Sequence, residues 1–392
     1  MRVSAQVSNL CNPVGVMSTE ILPTRVEEFI KQMMPWAHGH QIKAITKFVL
    51  AIIEKQTGCQ AELARTQGSQ EAAAKQLSRL IHNPRLKPKD FAKWLCLQVL
   101  ANQVPRSGKV RLTIDWTSED DQHLLVISLI VGRRALPIFW RAYSQSALKG
   151  RMKRYELAVI KSAFKLIFQY VKPGRIRLSA DRGFPDDDLF ALLDELDIDH
   201  IIRVKGSVKV FYRERWVKLN TIRFEGNARR RSLGRLYYCE KSPRQLWITM
   251  SRARNKKGKL ETWYLVSNLR LRAEPMAKEY GFRFCCEEGF RDAKWYLGFA
   301  EARVKEIEAW SRLFALFAIA LLALTTLGVA LLIRGGLGAK QLLRRVASRR
   351  RGRCELSLVA AIIALVQRDR SLFAALSPHT KFNLEATLSN VS

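Results

Sequence analysis

Apolar residues recur at helical spacing from residue 26 to about 106, and then the pattern changes. In the stretch 41–55, Ile42, Ile45, Val49, Ile52 and Ile53 share one face. A second helix is predicted over 70–81, after Gly68-Ser69 and before Asn83-Pro84. Residues 59–85 read as helix, turn, helix with Lys75, Arg79 and Arg85 outward, either a DNA-reading pair or an ordinary helical pair. Three consecutive strands are predicted next, over 110–116, 124–131 and 135–143. A helix over 151–171 stops at Pro173-Gly174, followed by a strand at 175–180, a helix at 185–196 and a strand at 200–204. Antiparallel strands followed by alternating helix and strand predict a mixed α/β sheet flanked by helices.

Residues 205–262 interrupt that alternation with strand-like segments at 208–212, 221–224, 235–239 and 245–250. A last core strand at 263–269 leads into a helix over 275–295. The stretch 313–333 is 21 residues without a charge, long enough to span a bilayer, and Arg334, Lys340, Arg344, Arg345, Arg349, Arg350, Arg351 and Arg353 follow it. A stop-transfer helix and a core helix apolar on all sides both fit. The charged, enzyme-like remainder of the chain favours the core helix and no membrane.

Charge adds a partner class. The 392 residues hold 67 Lys and Arg against 35 Asp and Glu, a formal +32, which predicts a polyanion, nucleic acid first. Between 203 and 259 there are 18 Lys and Arg against Glu214, Glu225 and Glu240, so the β segment reads as a phosphate-tracking surface. The 48% hydrophobic content excludes a mainly disordered chain. Seven Cys form no CxxC pair and read as reduced thiols, and no apolar stretch follows Arg2 as a signal peptide would need. An intracellular, nucleic-acid-facing protein is expected. His38 and His40 form an H-x-H pair that reads as solvent-facing.

Three carboxylates stand in settings suited to metal-dependent phosphoryl chemistry. Asp115 ends an apolar strand, where a lone carboxylate is costly to bury without a cation. Asp181 ends another, with Gly183 allowing a turn. On one helix at about 100° per residue, Tyr280, Arg283, Glu287, Arg291 and Lys294 fall within about 80°. Phe282, Cys285, Cys286, Phe290 and Ala293 fill the opposite side. That stripe is also what an exposed face with i,i+4 pairing looks like.

The pattern Tyr280, Arg283, Glu287, Lys294 resembles the Tyr-Arg-Glu-Lys signature of the insertion-sequence DDE transposases of the IS-four type. DWT around Asp115 and ADRGF around Asp181 look like that family's first two acidic motifs, and WYLVSNL at 263–269 like the strand before the signature helix. The resemblance spans about 105–330. It implies a ribonuclease-H-like catalytic domain over 106–335, with a β-rich insertion at about 205–262. An all-α DNA-binding domain over 1–105 would precede it, and a basic helical region over 336–392 would follow.

The activity implied is cut-and-paste transposition by a cytoplasmic, nucleoid-associated bacterial protein, with terminal inverted repeats and target DNA as partners and a homodimer in the synaptic complex. Asp115, Asp181 and Glu287 would hold Mg²⁺, with Mn²⁺ a substitute, as two ions about 4 Å apart on the scissile phosphate. Tyr280, Arg283, Arg291 and Lys294 would contact the transposon end, and Trp263 would stack a flipped base. The alternative is an inactive or repurposed DNA-binding protein derived from a transposase.

Overall fold

The computed structural model describes residues 21–65, 69–131, 134–254, 258–334, 349–350, 353–354 and 358–382. Five helices come first: α1 (Ile21–Met33), α2 (Gly39–Lys55), α3 (Gln60–Ala64), α4 (Gln70–Ile81) and α5 (Pro88–Asn102). Three long strands follow, β1 (Val110–Glu119), β2 (Gln122–Val131) and β3 (Arg134–Ser144), then α6 (Gln145–Leu148) and α7 (Met152–Ile167). Next come β4 (Ile176–Ala180), α8 (Asp187–Glu195) and β5 (Asp199–Val204). Strands β6 (Lys209–Tyr212), β7 (Arg215–Lys218), β8 (Arg230–Tyr238) and β9 (Arg244–Arg254) lead to β10 (Leu260–Ser267), α9 (Ala273–Gly281) and α10 (Phe284–Arg291). After α11 (Ile307–Arg334), β11 (Arg349–Arg350) pairs with β12 (Arg353–Cys354), and α12 (Leu358–Arg368) follows. The chain divides into two compact units, residues 106–288 and residues 1–105 with 289–392.

Residues 106–288 are a mixed α/β unit whose ten strands form one sheet in the order β3-β2-β1-β4-β5-β10-β9-β8-β6-β7. β1, β4 and β5 run parallel, and the remaining pairings are antiparallel. The register of β1 and β4 comes from matched alternation: VRLTID lies beside IRLSAD, with Val110 opposite Ile176 and Ile114 opposite Ala180. Because side chains alternate, Val110, Leu112 and Ile114 share a buried face with Ile176, Leu178 and Ala180. Arg111, Thr113 and Asp115 take the other face with Arg177 and Ser179. Asp115 and Asp181 are therefore the next residues beyond the last β1–β4 pair.

Helix α9 docks on that polar face through Glu279. Arg111 donates to both its oxygens at 3.0 and 2.9 Å, and Arg177 adds a third contact at 2.9 Å. Burial pushes the Glu279 carboxyl up, but the two guanidiniums outweigh it and hold it below the ordinary value. Between the flanks, His200 is buried against Phe190, and burial lowers its pKa to about 4, so it packs as a neutral ring.

The basic β segment continues the main sheet instead of forming a body of its own. Of residues 221–224, predicted as a strand, Thr221 closes the 3₁₀ turn Leu219–Thr221 and 222–224 join no ladder. The missed strand is β7, which pairs with β6 across a tight turn where Arg213 and Glu214 take φ of 50° and 64°. Left-handed turn residues are ordinarily Gly, Asn or Asp, so RE left no hairpin signal.

The other unit is helical, and α11 is its centre. Nearly every side chain from Ala309 to Leu331 is buried, with α2, α4, α5 and α12 packed around it. This is the one helix among the described residues long and apolar enough to cross a membrane, and protein covers 89% of its most apolar window. It packs with helices of its own unit, and the division between the two units lies at 288/289, where the reading from sequence put the end of the catalytic domain near 335. Buried Arg312 donates to the carbonyls of Leu86 at 2.6 Å and Ile81 at 2.9 Å, closing the C-terminal end of α4, while Thr46 Oγ1, Gln103 Oε1 and Trp310 Nε1 are buried without a partner. Gln103 donates to Thr326 at 3.0 Å. Residues 1 to about 25, with Pro, Ser and Asn and no periodicity, predict a loose segment; 21–25 instead open α1, and 1–20 lie outside the described residues, as does the basic run between 335 and 348, while within 336–392 α12 and the 3₁₀ turn Arg370–Ala375 are helical.

One glycine closes this unit. Gly298 has φ of 83°, and a Cβ there would stand 2.4 Å from the Thr57 Cα and 2.5 Å from the Gln56 oxygen. Gly298→Ala is expected to cost about 3 kcal/mol, from left-handed strain plus overpacking against backbone. Gly150 has φ of 68° but open space around it, so Gly150→Ala is expected to cost only about 1 kcal/mol. Urea unfolding of the two variants measures the difference; equal midpoints would refute the backbone clash.

Candidate active site

Asp115 and Asp181 sit side by side where the β1–β4 ladder ends, at the carboxyl end of β4, where ligands of open α/β sheets bind; β1, expected to end at Asp115, instead runs on beside β2 to Glu119. The third carboxylate arrives from the helices above. Arg283 Nη1 donates to Asp115 Oδ2 at 2.9 Å, and Nη2 donates to Glu287 Oε1 at 2.9 Å. The Tyr280 hydroxyl donates to Asp181 Oδ1 at 3.2 Å. The three predicted acids are thus gathered around one guanidinium and one phenol.

The helix bearing these residues is not continuous, as the stripe of five required. α9 ends at Gly281, α10 begins at Phe284, and the linking amides bond three residues back: Phe282 to Glu279, Arg283 to Tyr280, Cys285 to Phe282 and Cys286 to Arg283. Such a tight turn rotates faster than 100° per residue. Tyr280 and Arg283 therefore face inward, 0% and 5% exposed, while Glu287 is partly open. Arg291 and Lys294 belong to the other compact unit, Arg291 exposed and Lys294 half-buried in a π-helical turn, Asp292–Tyr296.

Trp263 is half-buried on β10. Phe284 stacks on it at 5.2 Å, Tyr280 meets it edge-on at 5.6 Å, and its indole donates to Glu261 at 2.7 Å. Arg203 lies 5.6 Å from the ring. The aromatic cluster walls the side of the site that bears Tyr280.

Burial raises the Asp115 carboxyl to about 6, opposed by Arg283 and the Trp116 amide and reinforced by Asp181 and Glu287. Burial opposes the charge on Arg283, but Tyr280, Asp115, Asp181 and Glu287 together keep it fully cationic. Its Nε is buried and without a hydrogen-bond partner, so the guanidinium is held by the acids and not by its full donor set. Three carboxylates are a hard-oxygen donor set of the kind Mg²⁺ takes. Among the described residues, no three His, Cys, Asp or Glu side chains stand close enough to hold a metal ion as they are. Arg283 lies between Asp115 and Glu287, and a cation would have to displace it.

Sequence reading missed Lys153 and Glu156 on the first turns of α7. The Trp116 indole donates to Glu156 at 2.8 Å, and Lys153 donates to Glu156 at 2.9 Å and to the carbonyls of Gly183 and Phe184 at 2.7 and 2.8 Å. A Lys and a Glu three apart on a helix carry no signal of their own; only the contacts reveal them. Elsewhere in this unit Lys205, Arg213, Arg215, Lys218, Arg229 and Arg235 are exposed along the β segment. In the helical unit Lys75, Arg79 and Arg85 are exposed, as are His38 and His40.

No protein-family model matches the chain, and no curated protein matches it.

Proposed function

We propose that the protein is a DDE-type DNA transposase with a ribonuclease-H-like catalytic unit. The observation that carries the reading is the convergence of Asp115, Asp181 and Glu287 from β1, β4 and α10. The half-sheet β3-β2-β1-β4-β5, three antiparallel strands followed by parallel ones with helical crossovers, supports it. So does the Tyr280-Arg283-Glu287-Lys294 spacing.

In this reading Asp115, Asp181 and Glu287 hold Mg²⁺, or Mn²⁺ in its place. The bound cations supply activation of the attacking hydroxyl and stabilisation of the leaving 3′ oxygen. Arg283, freed from the acids when they are loaded, can fork two phosphate oxygens of the DNA strand. Tyr280 holds Asp181 in place, and the Trp263–Phe284 pair offers an aromatic wall to an unstacked base. The exposed basic residues of the β segment and of α4 give the electrostatic footprint for inverted repeats and target DNA.

One observation favours a second reading, a DNA-binding protein descended from such an enzyme that no longer cuts. Arg283 already neutralises Asp115 and Glu287 without any added cation. An excision assay separates the two. The gene with its native flanking DNA is placed on a plasmid, and wild type is compared with Asp181→Asn for loss of the segment. Excision that requires Asp181 is the expected result; no excision by either protein would shift the conclusion to the binding-only reading.

A further inference from the structure

Asp181 follows the last residue of β4 and its chain leaves the sheet at once, whereas Asp115 lies within β1, which runs on to Glu119 beside β2 but no longer beside β4. Trp116 points to the face opposite Asp115, and Arg182-Gly183-Phe184 turns away from β4, with the Phe184 amide bonded to the Asp181 carbonyl at 3.0 Å. The β1–β4 ladder stops one residue short of both acids. β2 holds the backbone around Asp115, so it is the segment after Asp181 that needs something else to fix its place beside β1.

That fixture is on α7. The Lys153 ammonium spends its donors on the Gly183 carbonyl at 2.7 Å, the Phe184 carbonyl at 2.8 Å and Glu156 at 2.9 Å, with Asp186 at 3.6 Å. Its ammonium also lies 5.8 Å from the Phe184 ring centre. Glu156 is almost wholly buried; one oxygen takes Lys153 and the other takes the Trp116 indole. A continuous chain of hydrogen bonds thus runs from the residue after Asp115 to the second and third residues after Asp181. It crosses one helical turn of α7 and lies on the face of the sheet away from Arg283.

We infer that Lys153 and Glu156 are positioning residues that fix the spacing of Asp115 and Asp181 from behind the sheet. They touch neither acid. This rests on the proposed function, because a fixed spacing matters only if both acids grip one cation. Charged hydrogen bonds to carbonyls and to a buried carboxylate are strong enough for the task, and a side chain lacking them leaves the segment after Asp181 to its own turn.

The test is Mn²⁺ binding to the full chain, followed by the loss of the free-ion electron paramagnetic resonance signal. Wild type should bind, and Asp181→Asn should bind at least about tenfold more weakly. Lys153→Met should weaken binding by about tenfold, and Lys153→Arg, which can still donate to both carbonyls, should restore most of it. Glu156→Gln keeps an acceptor for Trp116 but loses the charge facing Lys153, and should fall between; it stands in if Lys153→Met does not fold by circular dichroism. Amide hydrogen exchange should quicken over 181–186 in Lys153→Met, while 115–119, held in the ladder with β2, keeps its protection. If wild type and Asp181→Asn bind Mn²⁺ alike, the active-site reading fails and takes the positioning role with it. If they differ while Lys153→Met matches wild type, only the positioning role is overturned.

Discussion

Arg283→Met is expected to cost about 3–5 kcal/mol of stability in metal-free buffer, the usual cost of removing one partner from a buried ion pair. Methionine fills much of the same volume, so the loss reports charge rather than a cavity. Without the guanidinium, buried Asp115 faces Asp181 and Glu287 with only the Trp116 amide to favour its ionised form. Mg²⁺ should then stabilise the variant by several kcal/mol more than wild type, since nothing has to be displaced before it binds. Urea unfolding with a chelator and with millimolar Mg²⁺, on both proteins, reads the difference. An equal Mg²⁺ increment in the two would mean that Arg283 and the cation do not share a place.

Glu287→Gln is expected to reduce excision by about 10³-fold or more while leaving binding to the segment ends unchanged. The amide keeps the size and one acceptor oxygen, so Arg283 retains a partner, but the charge is gone. Gel shift with fragments carrying the excision junctions measures binding; the plasmid assay measures cutting. The adjacent Glu288 is no substitute, because Arg134 holds it at 2.8 Å. Excision at near wild-type rate in Glu287→Gln would remove Glu287 from the catalytic set.

The strands around the acids were legible because VRLTID and IRLSAD each alternate cleanly and end on an Asp. The pairing that makes those two stretches neighbours is a parallel contact between distant segments, which no local pattern encodes. The acids themselves could be chosen for their cost of burial. What lay between them could not be. The Arg283–Glu287 pair has i,i+4 spacing and was visible, but the Arg283–Asp115 pair joins residues 168 positions apart. The break at 282–283 was hidden for a related reason. Gly281 is compatible with a helix, and tertiary contacts of Tyr280 and Arg283 with the acids decided that the turn tightens there. The apolar stretch in α11 was correctly weighed as a core helix, yet its period, apolar all round, gave no direction and so no hint of which unit it completes.

That last feature sets an order of assembly. The α/β unit is encoded as one uninterrupted stretch, 106–288, inside a helical unit whose two parts are separated by it. During synthesis the sheet can close as soon as its own residues emerge. Helices α1–α5 are made first but finish last, since the buried faces of Ile45, Phe48, Leu77, Leu95 and Leu100 wait for α11, which leaves the ribosome some two hundred residues after α5. A chain that stops early, after 288, would carry a complete sheet beside five helices with no centre to pack on. Interrupted translation of this protein therefore exposes a sticky fragment rather than a smaller working one.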